Sequence, residues 1–126
     1  MSDPVHPPMR LQPTVSAPAI ARAHVSEACR GRLSPEAVEA ARLLVSELVT
    51  NCVRHAHTMI TLAVDCDDRC VAVAVGDDGE ELPVVRDDVD DDSTGGRGLH
   101  LVEALSGEWG VRTRDDGGKV VWFRLP

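Results

Sequence analysis

Three short stretches of this sequence hold residue types whose spacing could do chemistry. The first is Glu47-Leu-Val-Thr-Asn51. Residues four apart lie on one helical face, so Leu43, Glu47, Asn51 and, one turn on, Arg54 form a stripe beside apolar Leu44, Val45, Leu48 and Val49. A carboxylate can take up a proton, and an amide oxygen can hold Mg²⁺, a hard cation that prefers oxygen ligands. The second stretch is Val75-Gly-Asp77-Asp-Gly79, an acid at the end of an apolar strand followed by glycine. A carboxylate placed there can accept the exocyclic amine of adenine. The third is Gly95-Gly96-Arg97-Gly98-Leu99, which opens a helix. Glycines let backbone N–H groups approach phosphate, and a helix N-terminus favours anions. Each stretch alone also reads as ordinary structure: a solvated polar pair, an Asp-Gly turn, a glycine run without the Lys-Ser/Thr of a P-loop or the full dinucleotide fingerprint.

The elements that must position these residues follow from period and punctuation. Residues 1–18 carry Pro4, Pro7, Pro8, Pro13 and Pro18, and read as an arm with at most an edge strand. The remainder, 19–126, reads as one domain. A helix is expected from about Ala19 to Cys29, with Ile20, Ala23, Val25 and Ala28 as its apolar stripe and Gly31 as its stop. Ser34-Pro35-Glu36 is a strong helix start, and no Gly or Pro interrupts the run from there to about Ala56. The period then becomes two: Met59–Cys66 and Val71–Val75 alternate about an Asp67-Asp68-Arg69 turn, an antiparallel hairpin. Residues 77–92 hold nine acids against one base, Arg86, and read as a solvated loop. With Thr94 to Arg97 it forms a lid loop over 77–97, followed by a short helix, Leu99–Leu105. Trp109–Thr113 and Lys119–Leu125 form a second hairpin. The expected fold is α+β: a two-layer sandwich with a mixed or antiparallel sheet and helices on one face.

Composition removes other classes. The chain has 126 residues, enough for one self-sufficient core. Aromatics are 2% and the formal net charge is −8, which argues against base stacking and phosphate-backbone binding alike, so no nucleic-acid partner is expected. No run approaches about 20 apolar residues, and no signal-peptide pattern opens the chain; a cytoplasmic protein without a membrane partner is expected. Cys29, Cys52, Cys66 and Cys70 then sit in a reducing compartment. Cys66 and Cys70, with His55 and His57 upstream, match no common zinc spacing, and all four cysteines read as small hydrophobes.

In order and spacing the three stretches resemble the N, G1 and G2 boxes of the ATP-binding (Bergerat) fold shared by gyrase, heat-shock chaperones and histidine kinases. More narrowly, Leu43-Leu-Val-Ser-Glu-Leu-Val-Thr-Asn-Cys-Val-Arg-His-Ala56, Gly95-Gly-Arg-Gly-Leu99 and Lys119-Val-Val-Trp-Phe123 resemble the anti-sigma factor/protein-serine kinase family. The resemblance runs from about Leu11 to the C-terminus and implies ATP and Mg²⁺ as cofactors. It implies Asn51 as the Mg²⁺ ligand, Glu47 as the acid that activates the attacking hydroxyl or water, and Asp77 as the adenine-reading carboxylate with Gly79 beside it. It places Gly95, Gly96, Arg97, Gly98 and Leu99 at the phosphates, with Arg54 and His55 near them; His55 reads equally as a cap on the helix C-terminus. Three departures stand out: Glu81 replaces the second glycine of the G1 box, Thr94 the first glycine of a longer G2 box, and Val120 a threonine that helps hold adenine through water.

The function implied is an ATP-binding anti-sigma regulatory factor. It sequesters a sigma factor and, if catalytic, phosphorylates a serine of an anti-anti-sigma antagonist. The alternative is a non-catalytic binding module with degenerate boxes. A fragment of a sensor kinase fits less well, since no helical dimerisation segment precedes the ATP boxes. Homodimers are typical of the family, though nothing in these residues shows one. On this reading Asp77→Asn removes stabilisation by nucleotide and leaves the nucleotide-free protein as stable as before.

Overall fold

A computed structural model describes residues 8–79, 107–115 and 117–126. Along the chain run β1 (Met9–Leu11), α1 (Ala17–Ala28), α2 (Pro35–Asn51), a single π-turn (Cys52–Ala56), β2 (Ile60–Cys66), β3 (Val71–Asp77), β4 (Glu108–Thr113) and β5 (Lys119–Leu125). The strands form one antiparallel sheet in the order β1-β2-β3-β5-β4. The two helices pack on one of its faces, giving the two-layer α+β sandwich expected.

Strand alternation decides which face is which. Ile60, Leu62 and Val64 of β2, Val71, Val73 and Val75 of β3, and Val121, Phe123 and Leu125 of β5 are all buried against the helices. Each contributes roughly 1.5–3 kcal/mol of burial, and a one-residue slip would turn the whole set to the other face. The register is therefore firmly set, with Val73 opposite Val64 on one side and Phe123 on the other. On the opposite face Trp122 lies across Gly110, its cross-strand partner: a Cβ at Gly110 would come within 2.8 Å of the indole.

The proline-rich start yields only the three-residue edge strand β1. In α1 the buried stripe is Ala17, Ala21, Val25 and Ala28, whereas Ile20 and Ala23 face outward. This corrects the expected stripe. Spacing by four from Ala17 presents small side chains, which let α1 approach the core closely, and bulky Ile20 falls outside that row. Helix α2 begins as its cap signals require: the Ser34 hydroxyl accepts the Ala37 N–H at 3.2 Å, and Pro35 fills the first turn. Arg22 of α1 donates to the Ser46 hydroxyl of α2 at 2.7 Å, tying the helices together.

The helix that the sequence carries smoothly to Ala56 instead changes pitch after Asn51. Residues Cys52–Ala56 form one wider turn, closed where the His57 N–H meets the Cys52 carbonyl at 3.2 Å with His57 left-handed at φ 55°. Such turns carry one extra residue and redirect the side chains that follow. The short helix expected at Leu99–Leu105 lies outside the described residues.

Candidate functional site

The end of β3 is where the sequence elements converge. Asp77 is the last residue of that strand and only 3% exposed, a carboxylate on the helix-facing side of the sheet. A buried charge needs partners, and among the described residues Asp77 has three for its carboxylate. Lys119, directly opposite it on β5, donates from Nζ to Oδ1 at 2.9 Å. The Gly79 N–H reaches the same oxygen at 2.9 Å. On the other side the Cys52 thiol donates to Oδ2 at 3.2 Å. Burial, and then the hydrogen bond to Asp77, push the Cys52 thiol well above the usual range, so it stays protonated as a donor.

The turn after β3 is held from both sides. The Asp78 N–H donates to the Thr58 hydroxyl at 3.0 Å, while Arg114 pairs with the Asp78 carboxylate and donates to the Asp77 carbonyl at 3.3 Å. Gly79 fits closely beneath the π-turn. A Cβ there would stand 3.0 Å from the Ala56 Cβ and 3.3 Å from Asp77 Oδ1. Glycine thus lets the chain pass between the end of the long helix and the carboxylate.

Helix α2 brings the first sequence stretch to the same place. Cys52, which touches Asp77, directly follows Asn51, so the end of α2 and the end of β3 meet. Glu47 is 9% exposed, which excludes a simple solvated pair; Asn51 is half-buried, and Leu43 at the start of the stripe is 48% exposed. Arg54 and His55 are both exposed, in the last turn, where the Arg54 charge suits the helix C-terminus. Gly95, Gly96, Arg97, Gly98 and Leu99, together with Glu81, Thr94 and the acidic block, lie outside the described residues.

Two members of this cluster were not evident from the sequence. Cys52 reads as a small core hydrophobe, yet its thiol is a ligand of the buried carboxylate. Lys119 is the chain's sole lysine, and it belongs to the same alternating set as Val121, Phe123 and Leu125. That phase was the available signal: a lysine in step with core residues needs a buried acid opposite. The departure assigned to Val120 moves accordingly. Val120 pairs with Gly76 and points to the other face, packing over that glycine, so the β5 residue beside Asp77 is Lys119.

The described residues suit the base half of a nucleotide: a buried carboxylate acceptor, a glycine passage beside it, and half-buried Asn51 at the adjoining helix end. The Asn51 side-chain amide offers the kind of oxygen ligand that Mg²⁺ prefers. No group of three His, Cys, Asp or Glu able to hold a metal by themselves occurs among the described residues. No described helix is long and apolar enough to cross a membrane.

Comparison with solved structures finds the same fold in several proteins. The histidine kinase domain of the blue-light-activated histidine kinase of Erythrobacter litoralis is 25% identical, with a TM-score of 0.57 over 86% of this chain and 58% of that one. The structure of the RsbU and RsbW domains of a Mycobacterium tuberculosis protein is 21% identical, with a TM-score of 0.61 over 95% of this chain and 32% of that one. Full-length ShkA, solved in complex with AMPPNP, is 21% identical, with a TM-score of 0.55 over 84% of this chain and 29% of that one. This chain thus spans 29–58% of the length of these three proteins. No curated protein matches. The profile of the family described as the histidine kinase-like ATPase domain matches residues 10–125, nearly the whole chain, and this protein belongs to that family.

Proposed function

We propose that this chain is an ATP-binding anti-sigma regulatory factor that sequesters a sigma factor and phosphorylates a serine of an anti-anti-sigma antagonist. The observation that carries the nucleotide part is the buried Asp77 carboxylate, presented beside Gly79 where α2 delivers Asn51. The likeness of Leu43–Ala56 and Lys119–Phe123 to anti-sigma kinases supports the regulatory part. So does a structural neighbour described as an RsbW domain. Bound Mg-ATP supplies the transferable phosphoryl group. Phosphoryl transfer asks a protein mainly for positioning and charge neutralisation. Here Asn51 would hold the metal and Glu47 would take the proton of the incoming serine hydroxyl. Glu81, standing where the family has glycine, favours a second reading in which the chain binds its partners without transferring phosphate.

Thermal unfolding with Mg-ADP tests the nucleotide assignment. Ligand at a hundred times its Kd stabilises by about 2.7 kcal/mol, which for a chain of this size raises Tm by on the order of 10 °C. Asp77→Asn should lose that shift, with the loss of binding confirmed by calorimetry on the folded variant. No shift in the wild type at millimolar nucleotide would overturn the assignment. Sigma binding and phosphate transfer are then assayed with cognate partners recovered from the native host.

A further inference from the structure

Lys119 is nine-tenths buried, and its ammonium carries three N–H donors. Only Asp77 Oδ1 accepts from it among the described residues. A buried ammonium with donors to spare is unusual, because polar groups removed from water are normally satisfied. Those donors lie beside Asp77, the carboxylate that on the ATP reading accepts the exocyclic amine of adenine. The partners of Asp77 narrow the arrangement further. Oδ1 already accepts from Gly79 and Lys119, while among the described residues Oδ2 accepts only from the Cys52 thiol and so has a second lone pair to offer. An incoming amine is thereby directed to Oδ2, with the Lys119 ammonium on the neighbouring Oδ1. On a purine such as adenine, the amine donor is flanked on either side by a ring-nitrogen acceptor. An acceptor carboxylate next to a donor ammonium is the complement of that edge.

We infer that Lys119 is a second base-reading residue, donating a hydrogen bond to the ring nitrogen that flanks the exocyclic amine received by Asp77. This rests on the adenine-nucleotide reading above. It extends that reading by giving the chain a direct, charged contact to the base from β5. Lys119 would then hold Asp77 in place without ligand and share its donors between carboxylate and base once the nucleotide is bound.

The test is calorimetric binding of Mg-ADP, 1-deaza-ADP and 7-deaza-ADP, the analogues each replacing one flanking ring nitrogen by C–H. A hydrogen bond from a charged donor corresponds to about tenfold or more in affinity. Wild type should therefore bind one of the two analogues about tenfold more weakly than ADP. In Lys119→Met that difference should vanish, ADP and the analogue binding alike. Because removing the lysine leaves a buried carboxylate without its cation, Lys119→Arg is the second variant. It keeps the charge but moves the donor, and should change the ADP-to-analogue ratio by about threefold or more. Wild type that binds ADP and both analogues equally would overturn the inference and leave Asp77 as base reader. An unchanged ratio in the variants would do the same, making Lys119 a counter-ion only. Failure of ADP itself to bind wild type would instead refute the nucleotide assignment, and this inference with it.

Discussion

Asp77 and Lys119 are each other's condition for being buried. Their pairing alters what a substitution at the site does. From the sequence, Asp77→Asn should leave the nucleotide-free protein as stable as before. In the structure that acid neutralises an ammonium only 9% exposed, and removing one partner of a buried pair costs about 3–5 kcal/mol. Replacing both partners by uncharged groups of similar volume is far milder. Urea unfolding of Asp77→Asn, Lys119→Met and the double variant should therefore show each single change as strongly destabilising. The double should be markedly less destabilised than the sum. Additive losses would mean that the pair contributes no coupling. Cys52 completes the group, since its protonated thiol is the sole described donor on the Oδ2 side.

Two turns position this site, and each rests on one residue. Gly79 passes close under the π-turn, where a Cβ would press on the Ala56 Cβ at 3.0 Å and force it to give way. Gly79→Ala should lower the nucleotide-induced Tm shift more than the nucleotide-free Tm, because the displaced atoms flank Asp77. Adding Ala56→Gly removes the opposing methyl and should restore part of the shift; no restoration would place the strain elsewhere. At the other end of β3, the Asp67 carboxylate accepts the N–H groups of Arg69 at 2.7 Å and Cys70 at 2.9 Å. These bonds hold its pKa below the ordinary carboxylate value. A carboxylate with a lowered folded pKa stabilises above its unfolded pKa of about 4 and loses that contribution as pH falls through the folded value. Asp67→Ala should thus weaken the protein at neutral pH and flatten its stability loss on acidification, measured by urea midpoints from pH 7 to about 2. Elements of this kind were legible because strand alternation and the Ser34-Pro35 cap are local signals. The π-turn and the true buried stripe of α1 were not. Both are chosen by packing: the first by how the end of α2 meets β3, the second by how closely small side chains let α1 approach.

Across the whole molecule, the sandwich joins two residues far apart in sequence, Asp77 and Lys119, through strand pairing, and brings Asn51 to them through the end of α2. The sequence showed the carboxylate and the helix pair, since each sits in a motif of its own. It did not show Lys119 or Cys52 as partners, because register and helix docking create those contacts. Whether this assembly transfers phosphate or only binds turns on Glu47 and Asn51 having different tasks. Asn51, half-buried at the helix end, is proposed to hold the metal, so Asn51→Ala should weaken Mg-dependent nucleotide binding and lose activity with it. Glu47 is proposed to act on the incoming hydroxyl alone. Its burial makes Glu47→Gln the better probe than Glu47→Ala, as the amide keeps the volume and removes only the base. Glu47→Gln should keep the nucleotide-induced Tm shift and lose transfer by on the order of 10²–10⁴-fold, the usual contribution of a general base. The measurement is labelled phosphate passing from ATP to a serine of the cognate antagonist, with sigma binding followed in parallel. Transfer by wild type and its loss in Glu47→Gln, with nucleotide still bound, would establish the kinase. Sigma binding with no transfer from wild type to any cognate antagonist would establish the binding module. A Glu47→Gln variant that transfers phosphate as wild type does would remove Glu47 from the chemistry and leave its burial at the helix end a matter of structure alone.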